Sequence, residues 1–263
     1  MNHAMFSSLF GALTTEHRMN VIANNLANVN TSGYKRDMLA FKDTFASYAH
    51  DVIREPLANI RSKELFPEMH NAARPRIAVS RIDFSQGSMQ HTGDPLDFAI
   101  TGENAFFKVT TPNGDYLTRS GHFNMTSEGR VVTPQGYPVQ GVGGDITIPP
   151  GTRNISVSED GQIMADGAVI NTFALVSVDE PKNLEKVGHN LFTPRDNTGV
   201  EEDNAYMDGA RIQQGFVEKA NVEVVSEMVS MIETQRAFEA YQKTIQTSDA
   251  LDRQAIQQVG KKA

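Results

Sequence analysis

Hydrophobic positions along the 263-residue chain change period twice. From Met1 to about Thr31, the residues Met5, Leu9, Ala12, Met19, Ala23 and Leu26 recur at alternating steps of four and three, with Glu16 filling the single gap. That spacing is a heptad stripe on one helix face. The helix it predicts is intrinsically weak. Gly11 lies inside it, and Asn20, Asn24, Asn25, Asn28 and Asn30 crowd its second half. Relative to Ala, Gly costs about 1 kcal/mol and Asn roughly 0.7 kcal/mol at an interior helix position. Such a helix needs packing partners to exist. Thr31-Ser32-Gly33 predicts its end, with Gly33 as a left-handed cap.

The last segment repeats the pattern. Asn221 is a natural N-cap and Glu223 suits the first turn. Apolar residues recur at Val222, Val225, Met228, Val229, Ile232, Phe238, Tyr241, Ile245 and Leu251, and neither Gly nor Pro interrupts the run before Gly260. A helix over Asn221–Val259 is about 57 Å long at 1.5 Å per residue.

Between the two lies a different period. Phe106–Thr110, Tyr116–Arg119, Arg130–Thr133, Ile146–Pro149, Asn154–Ser158, Gln162–Ala165 and Thr172–Val178 read as short strands. Asn113-Gly114, Glu128-Gly129, Gln135-Gly136, Asp160-Gly161 and Asp166-Gly167 supply the turns between them. The stretch Phe41–Val52 reads as a short helix, followed by an irregular connector. The fold class this implies is α+β. Residues 1–36 and 221–263 are terminal helices, 37–76 a connector and 77–220 an inserted all-β domain. Each terminal stripe lacks a partner nearby in sequence, so the ends must meet each other or the ends of other copies.

Composition removes several functions. Lys plus Arg is 24 against Asp plus Glu 32, a net charge of −8 with no basic block. That disfavours nucleic acid and anionic membrane surfaces as partners. The absence of Cys rules out disulfides, thiol nucleophiles and thiolate metal sites. No apolar run is long enough to span a bilayer, and the N-terminus makes a poor cleaved signal peptide. Phosphate-binding, dinucleotide, zinc-protease and serine-hydrolase motifs are missing. The seven His are scattered without ligand spacing, and the Asp-Gly pairs sit at turn positions. These features predict no cofactor, no metal and no catalysis.

Four ordered segments carry a resemblance. They are Ala23-Asn24-Asn25-Leu26-Ala27-Asn28-Val29-Asn30-Thr31-Ser32-Gly33-Tyr34-Lys35-Arg36; Gln86 to Gly102 with Phe106-Phe107; Leu117 to Phe123, leading to Gly129–Val132 and Gly136–Val139; and Asn221-Val222 with Glu227 to Glu239. Together they resemble the bacterial flagellar rod and hook proteins. The ending from Ala240 to Gly260 looks most like the proximal-rod kind, with the distal-rod kind as the alternative. The resemblance implies terminal helices paired in a coiled-coil layer and a β domain outside it. It further implies helical polymerisation into the periplasmic shaft that transmits torque. Export would run through the flagellar type III apparatus without a cleaved signal. The implied partners are other copies of the chain, the adjacent rod proteins and that apparatus.

On this reading the assembly interface comprises Leu9, Met19, Asn25, Leu26, Asn28, Val225, Met228, Ile232, Gln235, Phe238, Tyr241, Ile245 and Leu251. Gly33 and Tyr34 form the helix cap and hinge, with Tyr34 as an anchor and Lys35 simply exposed. The competing class is a hydrolase or sugar-binding β domain on a helical stalk. It is disfavoured because the chain has no Trp for saccharide stacking and no convergent carboxylate motif.

Overall fold

The computed structural model describes residues 2–46, 72–102, 104–195, 200–202 and 209–260. These divide into two compact units: Met1–Asn24 with Met38–Arg81 and Val225–Ala263, and Asn25–Asp37 with Ile82–Val224. An α+β chain results, with a helix at each end and β-rich structure between.

The first unit holds most of two helices, α1 (Asn2–Ala27) and α2 (Val224–Gly260). Both helices form where the heptad spacing places them, though α2 starts three residues later than its expected cap. They meet where Gly11 of α1 faces Tyr241 of α2. Ser8, Gly11 and Ala12 are buried on α1, and a Cβ on Gly11 would fall 2.5 Å from Cε1 of Tyr241. Gly11, a weakness when the helix is taken alone, is therefore the seat of an α2 ring. Thr14 and Thr15 donate their hydroxyls back to the carbonyls of Phe10 and Gly11, at 2.7 and 2.9 Å.

The same unit contains most of a two-stranded sheet formed by Asp37–Ala46 and Ala72–Ile82. The helix expected from Phe41 is absent as far as Ala46, and residues 47–52 of that expectation lie outside the described residues. Leu39, Phe41 and Phe45 recur at even steps, which is the period of a strand. The partner strand that fixes the choice starts about 25 residues further on, beyond any local signal.

The second unit is built around a six-stranded antiparallel sheet. Its order is Leu184–Gly188, Leu191–Pro194, Gly114–Thr118, Ala105–Thr111, Leu175–Val178 and Val200–Glu202. Phe98, Phe107, Phe123 and Phe173 interlock at its centre, with ring centroids 5.0 Å apart for Phe98–Phe173 and 5.2 Å for Phe107–Phe123. Turn chemistry sets the strand ends. Asp166 (φ 49°) and Gly167 (φ 86°) both take positive φ, the two-residue hairpin turn that Asp-Gly favours. The chain reverses there at once, so a strand at Ala168–Thr172 precedes the one expected from Thr172. Ile146–Pro149 forms no regular strand. Ile146 and Ile148 are nonetheless buried, and their N–H groups donate to Val139 and Gly129 at 3.1 and 2.8 Å. Pro149-Pro150 then removes the donors needed to continue.

Candidate assembly site

The candidate site has two parts: a buried junction in the second unit and an exposed face on the helices of the first. The junction begins where α1 stops. Asn28 donates its N–H to the Asn25 carbonyl at 3.2 Å and Thr31 to that of Asn28 at 3.0 Å, so turns replace the helix. Gly33 adopts φ +68° as expected, but six residues past the end of α1, so it turns the chain and does not cap the helix. Its position also demands a bare Cα. An added Cβ would lie 2.5 Å from the Ser120 nitrogen and 2.6 Å from the Arg119 carbonyl carbon. Its N–H donates to the Glu218 carbonyl at 2.7 Å. Gly33→Ala should therefore destabilise the fold. The left-handed conformation costs about 1–2 kcal/mol and the overlap about 1–3 kcal/mol. Thermal unfolding of the full chain measures this, and an unchanged midpoint would contradict the close approach.

Two asparagine side chains grip the segment after Gly33. Asn25 donates to the Asp37 carbonyl and accepts from the Asp37 N–H, each at 3.0 Å, and also accepts the Tyr34 hydroxyl at 3.1 Å. The Asn25 side chain is thus committed within its own chain. Asn221 does not cap α2. Its Oδ1 accepts the Arg36 N–H at 2.8 Å, and its Nδ2 donates to the carbonyls of Asp83 and Ser85 at 2.8 and 3.1 Å. Tyr34 is buried with Ala220 and Val222 against Val29. The ammonium of Lys186 stands 4.3 Å from its ring centroid, a cation–π contact.

Below these lies a buried charge cluster that sequence patterning does not single out. Lys35, expected to be exposed, is 1 % exposed. Its Nζ donates to Glu218 Oε1 at 2.7 Å and to the Ser85 carbonyl at 2.8 Å. Arg119 Nε donates to Glu218 Oε2 at 2.6 Å, and the Gly87 N–H donates to Oε1 at 2.8 Å. The remaining Arg119 donors reach the carbonyls of Ile100, Gly102 and Ala105. Two cations thus share one carboxylate, and backbone oxygens satisfy their other N–H groups, as burial of charge requires. Burial is the largest influence on Lys35 and, with Arg119 nearby, holds its pKa below the ordinary lysine value despite Glu218. Burial pushes Glu218 upward. Arg119 and Lys35 more than offset it, so its carboxyl sits below the usual range. The partners of Glu218 lie 183 and 99 positions away along the chain, so no local spacing could have paired them.

The second part is the outward face of the helices. Leu9, Val225, Met228, Ile232, Gln235 and Leu251 are exposed, Val225 by 70 % and Ile232 by 52 %. Met19, Leu26, Asn28, Phe238, Tyr241 and Ile245 are half-buried, while Asn25, Gly33 and Tyr34 are buried. The stripe expected from sequence therefore mixes faces. On α1 the exposed apolar set is Met5, Phe6, Leu9 and Leu13; on α2 it is Val224, Val225, Met228, Val229 and Ile232 in the first turns, with Leu251 and Ile256 further along. Val225, Met228, Val229 and Ile232 are spaced 3, 1, 3, one continuous ridge on a helix. Contiguous exposed apolar surface of this kind marks an interaction site. Among the described residues, no group of three or more His, Asp or Glu is placed to hold a metal.

Three segments match known families. Residues 11–35 match the flagella basal body rod protein family. Residues 99–165 match the flagellar hook protein FlgE/F/G D1 domain, and residues 213–258 the flagellar basal body rod FlgEFG protein C-terminal family. The flagellar basal-body rod protein FlgF of Caulobacter vibrioides is 34 % identical, over 99 % of both chains. FlgG of Buchnera aphidicola subsp. Acyrthosiphon pisum is 32 % identical, over 94 % of this chain and 96 % of its own. Borreliella burgdorferi FlgG is also 32 % identical, over 95 % and 96 %. The chain belongs to the flagellar basal-body rod protein family. It is a structural subunit of that rod, and the hydrolase or sugar-binding alternative is not favoured.

Proposed function

We propose that this subunit polymerises helically, through the outward apolar faces of α1 and α2, to form the proximal tier of the rod. The observation that carries this is the ridge Val225, Met228, Val229 and Ile232, four large apolar side chains each at least half exposed. Leaving them in water wastes about 25 cal/mol per Å² of apolar surface. The two terminal helices form a coiled-coil layer. The role is mechanical, transmitting torque along a periplasmic shaft without catalysis. The partners are other copies, the adjacent rod proteins and the flagellar type III export apparatus, which takes the chain out without a cleaved signal. Support for the proximal position comes from the Ala240–Gly260 ending.

The test is to delete the gene, isolate the stalled basal bodies and identify their rod proteins by mass spectrometry. Absence of the distal-rod protein with the more basal rod proteins retained places the chain in the proximal tier. A separate proximal-rod protein with growth stopped just beyond it places the chain in the distal rod. Complete basal bodies bearing hooks would overturn the structural role.

A further inference from the structure

We infer that Ser32–Asp37 is a strap that docks on an already folded β-rich unit, with Lys35 as its anchor. It opens and closes while the sheet stays folded, and so holds or frees the end of α1. This goes beyond the assembly role proposed above and does not depend on it.

The strap is held largely by side chains. Asn190 Nδ2 donates to the Ser32 carbonyl at 2.9 Å and Lys186 Nζ to the Lys35 carbonyl at 2.6 Å. The Arg36 N–H donates to Asn221 Oδ1 at 2.8 Å. Regular strand structure begins only at Asp37, whose carboxylate accepts a second contact from Lys186 at 2.9 Å. Apolar packing points the same way. The cluster centred on Phe107 and the one around Phe84 and Phe106 contain no residue from 25–37. Tyr34 packs in a small cluster of its own with Ala220 and Val222. Lifting the strap therefore uncovers little of the apolar core. Segments with few core contacts are the ones that open below global unfolding.

Charge gives the stronger argument, because the slot is complete without its anchor. With Lys35 withdrawn, Arg119 and Glu218 remain a matched pair, Nε to Oε2 at 2.6 Å. Glu218 Oε1 keeps the Gly87 N–H at 2.8 Å, and the Ser85 carbonyl keeps Asn221 Nδ2 at 3.1 Å. Neither acceptor of the Lys35 ammonium is orphaned by its departure. Its arrival adds a second cation to a buried pair that is already neutral, which burial disfavours. The depressed pKa of Lys35, with burial its largest cause, is the same penalty seen from the ammonium.

Opening has a consequence for α1. Asn25, in its last turn, holds both backbone groups of Asp37 and the Tyr34 hydroxyl. The end of α1 and the strap therefore move as one piece. Closed, the strap fixes that end to the β-rich unit; open, it leaves α1 on a loose tether.

Native-state hydrogen exchange of the purified full chain, followed at low guanidinium concentrations, reads strap and sheet separately. The Gly33 and Arg36 amides should exchange through an opening more frequent and less denaturant-dependent than the one exposing the amides of Ala105–Thr111. Lys35→Met keeps an unbranched side chain and removes the buried charge. It should slow strap exchange on the order of tenfold. Lys186→Met removes the donor to the Lys35 carbonyl and the partner of Asp37, and should speed strap exchange by about tenfold. One rate and one denaturant dependence shared by strap and strand amides would overturn the inference, since strap and sheet would then form a single cooperative unit. Faster strap exchange in Lys35→Met, or failure of that chain to fold, would overturn it as well, by showing an anchor the fold cannot lose. So would unchanged strap exchange in Lys186→Met. These readouts need no basal bodies, so their failure leaves the rod reading untouched.

Discussion

Glu218→Gln should lower the thermal midpoint of the full chain by on the order of 10 °C. The substitution keeps the shape of the side chain and removes its charge. Lys35 and Arg119 then remain buried with no carboxylate between them. Breaking a buried pair by removing one partner costs about 3–5 kcal/mol, and for a domain of this size each kcal/mol moves the midpoint by roughly 2–4 °C. The pH dependence has a definite sign. The folded-state pKa of Glu218 lies below its ordinary 4.5. Its contribution is fully present above the unfolded value and is lost as pH falls through the folded one. The native chain should therefore lose stability in acid more steeply than the Gln variant. Denaturant titrations across the acid range measure both effects, and parallel curves for the two chains would contradict the cluster's role.

Ile232→Asp should abolish swimming and leave the fold intact. Ile232 is 52 % exposed, and a surface substitution of this kind changes monomer stability by about 0.5 kcal/mol or less. On the assembly proposed above the same position is covered, and an unpaired carboxylate there costs several kcal/mol. The loss is repeated at every subunit. Ile232→Val, which keeps the surface apolar, should retain motility. Circular dichroism of the purified chain together with a motility assay separates folding from assembly. Motile cells carrying the Asp variant would remove Ile232 from the interface.

The helices were legible because a period of 3.5 survives in the residues themselves, from Leu9 to Leu26 and from Val225 to Leu251. Which side of each stripe faces inward was not legible. Ser8, Gly11 and Ala12 line the inner face of α1, and small residues carry little hydrophobic signal. Leu9, which belongs to the stripe, points to solvent, while Ala12 in the same stripe is buried. Asn221 shows the same limit. Its residue type suits a cap, but a contact with Arg36 across 185 positions claims its side chain. Lys35, Arg119 and Glu218 were invisible for the reason that makes them important. Each is a charged residue whose burial depends on partners brought together only by the whole fold. The hairpin at Asp166-Gly167 was the opposite case, since its turn chemistry is entirely local.

The most direct test of the assembly account uses Ile232→Cys, unique in a chain without other cysteines. Maleimide labelling is followed in the purified chain and in isolated basal bodies. The account predicts rapid labelling of the free chain and strong protection in the rod, while the half-exposed Val187→Cys on the β-rich unit labels at similar rates in both. Equal labelling of Ile232→Cys in the two states would contradict it.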